Sequence, residues 1–255
     1  MAANINTSMT SAPALHKRGG IHGTIVGAIG TDIVTGVLAQ GERLPSDQEM
    51  MARFQASRTA LREALKVLSS KGLIESRQRA GTRVRPRSDW DLLDLDVLSW
   101  HTPESISESF AADLVELRQL IEPVAAKLAA DRATSDDLTR IEAAYLRMAA
   151  NVDDYEGFYA ADVAFHLAVL GASRNQLVQR LAGIIGTVLN LSFSLQSQVR
   201  IPLRESLESH YQVFEGIRDR NRRGAERAMR ITIRRGRNTL SQMSAIRRKS
   251  SQQTG

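Results

Sequence analysis

The chain has 255 residues, of which 42% are hydrophobic, and a formal net charge of +6. This length and apolar content suffice for two domains with cores of their own. The absence of cysteine excludes disulfides and thiolate metal sites, and no apolar run approaches the roughly 20 residues needed to span a bilayer. Because the N-terminus also lacks the apolar core of a signal peptide, we expect a cytoplasmic protein.

The charge is distributed unevenly along the chain. Residues 1–90 contain thirteen Lys/Arg and seven Asp/Glu, residues 91–217 contain nine and nineteen, and residues 218–255 contain twelve and two. A cationic module followed by an acidic domain indicates that the first part binds nucleic acid and the second does not. Residues 1–20, rich in Ala, Ser, Thr and Gly, predict a disordered arm, and residues 246–255 predict a frayed basic tail.

A DNA-binding module is predicted over residues 21–87. Apolar residues at every fourth position from Ile21 to Val37 indicate its first helix, which we expect to end at Gly41. In the Pro-Ser-Asp sequence that follows, Ser46 or Asp47 can cap a short helix that runs to about Phe54.

A second helix is predicted after a turn at residues 55–57. Its apolar face holds Leu61, Ala64, Leu65 and Leu68, and its polar face holds Arg58, Thr59, Arg62 and Lys66. A recognition helix meets base edges with its N-terminal residues, here Ser57, Arg58 and Thr59. Arg58 can make a bidentate contact to guanine, while Ser57 and Thr59 hold phosphate or base. The alternative for this segment is an ordinary amphipathic helix with a solvated cationic face.

Two short alternating segments, residues 73–76 and 82–85, predict a β-hairpin with a basic tip. Arg79 at this tip can reach a minor groove or a phosphate, and Gly81 gives the backbone freedom there. The ordered set of helix, turn, helix and basic hairpin favours a winged helix-turn-helix DNA-binding domain over the solvated amphipathic helix.

The rest of the chain predicts a mainly α protein. Asp89 can cap a linker helix through Trp90 and Trp100, within residues 88–104. An all-helical domain follows over residues 105–245, and a bundle of this kind builds its ligand sites from inward-facing side chains. Its predicted helices are 105–131 with Pro123 interrupting, 135–150, 154–171, 175–199, 204–221 and 224–245.

Three side chains of the predicted bundle form a candidate metal site. Asp162 and His166 are four residues apart and share a helical face, and His210 lies in a later helix. Carboxylate and imidazole ligands suit a divalent ion such as Zn, Ni or Mn. By spacing alone, an Asp-x-x-x-His pair is more often a hydrogen-bonded structural pair than a metal site.

Several of these motifs together resemble those of the GntR superfamily of bacterial transcription regulators. The matching residues of the first module are 44–46, 57–65, Leu68, 72–74 and 81–82. The second domain is similar to the ligand-binding FCD domain of the FadR subfamily. Its matching residues are Arg118, Glu122, Pro123, Asp162, Phe165, His166, Asn175, His210, Ile217, Ala228 and Met229. The similarity covers residues 21–243.

The resemblance implies a homodimer that binds a palindromic operator and an effector-binding bundle. It assigns DNA contacts to Ser57, Arg58, Thr59, Arg62, Arg79 and Gly81. Within that bundle, the polar groups of Arg118, Asn175, Asp162, His166 and His210 are the candidates for the effector site. The family's metal site usually uses one Asp and three His, and Thr232 stands here where the third His is expected. This leaves open a metal site with three protein ligands in this chain, Asp162, His166 and His210. Water or an effector carboxylate would complete it.

The segment 90–100 is similar to the linker of galactonate-responsive repressors in this family, which indicates a sugar acid as effector. Arg118 can clamp its carboxylate with two N–H groups, and an inter-helix salt bridge is the alternative role. We expect a repressor that a small carboxylate releases from DNA by a population shift. Two other classes are a metal-dependent hydrolase, for which no nucleophile or base motif accompanies the metal site, and a nonspecific architectural DNA-binding protein.

Overall fold

The computed structural model describes residues 20–77, 81–196 and 203–235. They are mainly helical with one two-stranded antiparallel sheet, which confirms the predicted fold class. The chain divides into two compact units between Trp100 and His101. None of the described helices combines the length and apolarity that a membrane crossing requires. The predicted arm before residue 20, Arg79 and the tail after residue 235 lie outside the described residues.

The first unit contains a three-helix module and a hairpin. Its elements are α1 (Ile21–Val34), α2 (Asp47–Phe54), α3 (Arg58–Ser70), β1 (Ile74–Arg77), β2 (Gly81–Val84) and α4 (Leu95–Ser99). A capping box starts α2, because the Ser46 hydroxyl accepts from the Glu49 N–H and the Glu49 carboxylate accepts from the Ser46 N–H. The core between α1 and α3 is formed by Ile25, Ile29, Ile33, Leu61, Ala64 and Leu68.

Two sequence-based expectations for this unit are wrong. The helix α1 ends at Val34 rather than Gly41, because Gly36 has a φ of +82° and turns the chain, leaving Val37 70% exposed. The single linker helix capped by Asp89 is replaced by a 3₁₀ turn at Arg87–Asp89 and the short α4. Asp94 caps α4 instead, since its carboxylate accepts from the N–H groups of Asp96 and Val97.

The second unit is a helical bundle. It contains α5 (Glu108–Arg132), α6 (Ser135–Ala150), α7 (Tyr155–Ala172), α8 (Gln176–Arg180), α9 (Ala182–Gln196), α10 (Leu203–Arg218) and α11 (222–235). The helix α7 packs against α5, α6 and α9, while α10 packs against α5 and α6. Large side chains such as Met148, Phe158 and Phe165 fill the core. This arrangement places polar residues of α5, α7 and α10 within reach of one another.

The helix boundaries of the bundle differ from the predicted ones by up to three residues at the start of α5 and the end of α10, and more clearly at three other points. Pro123 does not interrupt α5, because its ring is buried and the packed alanines that follow it keep the chain helical on both sides. The predicted helix 175–199 is split at Leu181, whose N–H bonds to the carbonyl three residues earlier in a tighter turn. The last helix begins at residue 222, since Asn221 accepts from the Gly224 N–H and caps it.

Candidate functional site

The polar face of α3 and the hairpin line one groove on the first unit. Its volume is about 500 Å³, and its lining includes Arg58, Arg62 and Lys66 of α3 with Ser76 and Thr82 of the hairpin. The hydroxyls of Ser76 and Thr82 lie 2.9 Å apart. All four predicted contact residues at the start of α3 are exposed: Ser57, Arg58, Thr59 and Arg62. The structure therefore presents them together at the helix end that a recognition helix uses for base contact.

Two of the predicted DNA-contact residues, Ser57 and Gly81, also have structural roles. The Ser57 hydroxyl accepts from the Ala60 N–H at 3.2 Å and caps α3. Gly81 has a φ of +80°, and a Cβ there would come within 2.5 Å of the Arg43 guanidinium. Sequence reasoning missed Arg43, which pairs with Arg83 through an isolated β-bridge. It lies forty residues before Arg83, and no local sequence pattern indicates that contact.

Asp162, His166 and His210 converge in the interior of the second unit. The Nε2 atom of His210 lies 3.0 Å from Asp162 Oδ1 and 3.3 Å from His166 Nε2. The distance from His166 Nε2 to Asp162 Oδ1 is 3.9 Å. All three residues are buried. The ring of Phe165 packs beside them, and its centroid lies 5.1 Å from that of His210.

The outer nitrogens of both imidazoles are fixed by acceptor groups. His210 Nδ1 lies 2.7 Å from the Ser206 carbonyl, and His166 Nδ1 contacts the Glu122 carboxylate. A carbonyl and a carboxylate only accept, so each Nδ1 donates to its acceptor and each Nε2 is turned toward the cluster. The two Nε2 atoms and the Asp162 oxygen therefore face each other and require a shared proton or a cation between them. This donor set, with its oriented outer contacts, fits a divalent metal ion.

Arg118 and Glu122 of α5 adjoin this cluster. The Arg118 Nε donates to Glu122 Oε1 at 2.5 Å, and its Nη2 lies 3.4 Å from His166 Nε2. The predicted alternative of an inter-helix salt bridge is wrong in detail, because the ion pair lies within one helix at i, i+4 spacing. Glu122 belongs to the family motif, and its position four residues after Arg118 is the sequence signal for such a pair.

Both buried carboxyl groups remain ionised at neutral pH. Burial alone would raise the pKa of Glu122, but the charges and hydrogen bonds of Arg118 and His166 outweigh it and lower that pKa to about 2. Burial opposes ionisation of Asp162 in the same way, and His166 and His210 lower its pKa to about 2. The site thus combines two carboxylates with a guanidinium and two imidazoles.

The two remaining predicted residues have local hydrogen bonds. The Asn175 side-chain oxygen accepts from the N–H groups of Leu177 and Val178 and so caps α8. The buried Thr232 hydroxyl donates to the Ala228 carbonyl at 3.1 Å, within its own helix. The structure gives neither residue a hydrogen bond to Asp162, His166 or His210 among the contacts it describes.

Comparison with known proteins decides the family. The model of "Bacterial regulatory proteins, gntR family" matches residues 22–84, and the FCD domain model matches residues 113–235. The galactonate operon transcriptional repressor of Escherichia coli K12 is 36% identical over 207 residues, which cover 80% of this chain and 90% of that protein. The chain belongs to the GntR family of bacterial regulatory proteins.

Other GntR-family relatives agree with this assignment. The Glc operon transcriptional activator of Escherichia coli K12 is 31% identical over 212 residues, covering 79% of this chain and 82% of that protein. The solved structure of Listeria monocytogenes Lar has a TM-score of 0.59 at 16% identity, covers 88% of this chain and 97% of its own, and shows the shared fold. The protein is therefore a GntR-type transcription regulator with an FCD domain and not an enzyme, which removes the hydrolase alternative.

Proposed function

We propose that this regulator is a homodimeric repressor that binds a palindromic operator and is released by a sugar acid of the aldonate type. The observation that carries the proposal is the buried cluster of Arg118, Asp162, His166 and His210 inside the FCD domain. Buried groups of this kind are retained in a ligand pocket to fix the orientation of a polar ligand. The similarity to a galactonate operon repressor supports an aldonate as that ligand.

The first unit supplies the DNA-binding half of the proposal. Arg58 and Arg62 lie on the exposed face of α3, beside Thr82 of the hairpin. Two such units on a dimer would read two half-sites, and operator symmetry would mirror the symmetry of the protein. The exposed apolar side chains Leu120 and Val124, one turn apart on α5, support self-association of the second unit. Because the regulator acts on DNA, we assign it to the cytoplasm.

Asp162, His166 and His210 would hold one divalent ion, such as Zn, Ni or Mn. A bound ion supplies a fixed positive charge and Lewis acidity toward acid and hydroxyl oxygens. Glu122 and the Ser206 carbonyl orient the two imidazoles toward that position through their Nδ1–H groups. Arg118 places its guanidinium next to His166 and offers further N–H donors to an acid.

Release follows if the acid binds more tightly to the conformation that does not fit DNA. An effector shifts an equilibrium only by its difference in affinity for the two states. The ion pair of Arg118 with Glu122 and the contact of Glu122 with His166 link α5 to α7. An acid that accepts hydrogen bonds from Arg118 therefore competes with Glu122 and changes the contacts that link α5 to α7.

Arg118 offers a direct test of the effector site. Replacement by alanine would leave the buried Glu122 charge without its partner, which threatens folding, so Arg118→Lys is the better variant. Lysine keeps the charge but loses the forked donor geometry. We expect the Kd for galactonate to rise about ten-fold or more, because a charge-assisted hydrogen bond contributes about 1.5–3 kcal/mol.

Isothermal titration calorimetry of the full chain provides the measurement. Arg147→Lys, at an exposed position of α6, is the matched control and should bind as the wild type does. Thermal melting of each variant without ligand shows that it is folded. A folded Arg118→Lys protein with wild-type affinity would remove Arg118 from the effector site.

A further inference from the structure

Three aromatic rings form a patch between α7 and α9. Tyr155, Tyr159 and Phe193, here called the aromatic patch, have ring centroids 4.5–5.8 Å apart. The two tyrosine hydroxyls lie 3.4 Å from each other. All three side chains are half-buried rather than sealed in the core. The patch therefore places ring faces at the boundary of the bundle.

The aromatic patch adjoins the polar cluster on α7. Tyr159 precedes Asp162 by three residues and His166 by seven, so the three share one helical face. Burial, then the hydrogen bond to Tyr155 and the nearby charge of Asp162, raise the pKa of Tyr159. The phenol thus stays neutral at neutral pH and lies within the field of the Asp162 carboxylate. Along the axis of α7, Tyr159 stands about 4.5 Å and Tyr155 about 10 Å from Asp162, at 1.5 Å per residue.

We propose that the aromatic patch is the specificity wall of the effector site and selects acids with a long hydroxylated chain over two-carbon hydroxy acids. The inference rests on the proposed function. An acid held at its carboxylate end by the polar cluster extends along α7 toward the patch only if its carbon chain is long. The C–H groups of that chain pack on the ring faces.

A glycolate molecule ends close to the cluster and leaves the patch uncovered. A six-carbon aldonate covers Tyr159 and removes apolar ring area from water. This strengthens the binding of the aldonate but not the binding of glycolate. If the rings instead served only to pack α7 on α9, their loss would affect both acids equally through stability. The ratio of two affinities therefore separates recognition from packing.

The test measures the Kd of galactonate and of glycolate by calorimetry on the full chain. Tyr159→Leu keeps an apolar side chain without a ring, and Tyr159→Phe keeps the ring without its hydroxyl. Tyr145→Leu is the matched control, because Tyr145 is also half-buried in an aromatic cluster but packs on Tyr211 and Phe214. We expect Tyr159→Leu to lower the preference for galactonate over glycolate about ten-fold. Tyr159→Phe and Tyr145→Leu should retain most of it.

Each contrary result has a distinct meaning. Equal changes of both Kd values in Tyr159→Leu, or no change in either, would overturn the specificity wall while leaving the effector site in place. Wild-type protein that binds both acids with one affinity would also overturn it. Wild-type protein that binds neither acid would contradict the proposed function and, with it, the inference.

Discussion

At the scale of single residues, Asp137 shows how one buried carboxylate can organise a junction. Its oxygens accept from the Thr134 N–H and from the guanidinium groups of Arg140 and Arg174. Arg174 adopts a φ of +52° in the link between α7 and α8, which holds its side chain on Asp137. Burial alone would raise the pKa of Asp137, but hydrogen bonds from Thr134 and the two arginines outweigh it and lower that pKa well below the ordinary range.

This lowered pKa predicts acid sensitivity with a definite sign. Because the folded-state pKa of Asp137 lies below its unfolded value, the ionised carboxylate stabilises the fold above about pH 4, its unfolded pKa. That contribution falls as the pH drops from there toward the folded-state pKa. Asp137→Asn should lower the free energy of unfolding at pH 7 by roughly 1–3 kcal/mol and flatten its decline in acid. Urea unfolding between pH 7 and pH 3 measures both effects.

Asp136 provides the control for that experiment, since it is the exposed neighbour on the same helix turn. Asp136→Asn should leave the acid decline close to that of the wild type. An Asp137→Asn protein with an unchanged acid decline would show that the network around Arg174 does not stabilise the fold.

The second prediction at this scale concerns metal. We expect protein purified without chelator to hold at most one divalent ion per chain, at Asp162, His166 and His210. The family resemblance assigns the missing third histidine to position 232, so Thr232→His should tighten metal binding about ten-fold or more, by about 1.4 kcal/mol. Chelator competition followed by elemental analysis measures the affinity, with Thr232→Val as the control. No metal in the wild type, together with unchanged galactonate affinity in His166→Ala, would make the cluster purely structural.

At the scale of elements, α4 is tied to the end of the recognition helix. Lys71, the residue after α3, is 8% exposed, and its Nζ contacts Asp94 at 2.6 Å and Asp96 at 2.8 Å. The same ammonium lies 5.8 Å from the centre of a Trp100 ring. Burial lowers the pKa of Lys71, but the two carboxylates outweigh it and raise that pKa. The segment after the hairpin is therefore part of the DNA-binding unit.

Lys71→Met should destabilise this unit by roughly 1–3 kcal/mol, because it leaves two partly buried carboxylates without a counter-charge. Lys66→Met in the same helix removes an exposed pair with Glu63 and should cost far less. The chain's two tryptophans, Trp90 and Trp100, both lie in this unit. Their fluorescence during urea unfolding reports directly on the unfolding of this unit. Equal urea midpoints for Lys71→Met and Lys66→Met would show that the ion pairs of Lys71 with Asp94 and Asp96 do not stabilise it.

Local signals explain which elements the sequence could predict. The bounds of α2 follow from the capping box at Ser46, whose members lie within four residues of each other. The end of α1 depends on the φ of +82° at Gly36, which the sequence does not distinguish from the glycines inside the same helix. The split at Leu181 depends on a tighter turn that most residue types can adopt. Periodicity alone therefore extended both helices too far.

At the scale of the whole molecule, residue types predicted the two modules but not the contacts within the buried polar cluster of the second unit. The spacing of Asp162 and His166 is local, while the approach of His210 depends on how α10 packs on α5 and α6. The contact of Glu122 with His166 joins residues 44 positions apart, and it fixes the proton position that makes the metal site chemically reasonable. The structure supplies such long-range contacts, and the sequence pattern does not.

We propose that this one chain couples sequence-specific DNA binding to the binding of a sugar acid. The most direct measurement selects bound duplexes from a random library and titrates the selected duplex with fluorescence anisotropy, with and without galactonate. We predict a two-fold symmetric site, a Kd that rises when galactonate is present, and a loss of about 1–3 kcal/mol in Arg58→Ala with relaxed preference at one base position. Equal binding to selected and random duplexes, or an unchanged Kd with saturating galactonate, would contradict this coupling.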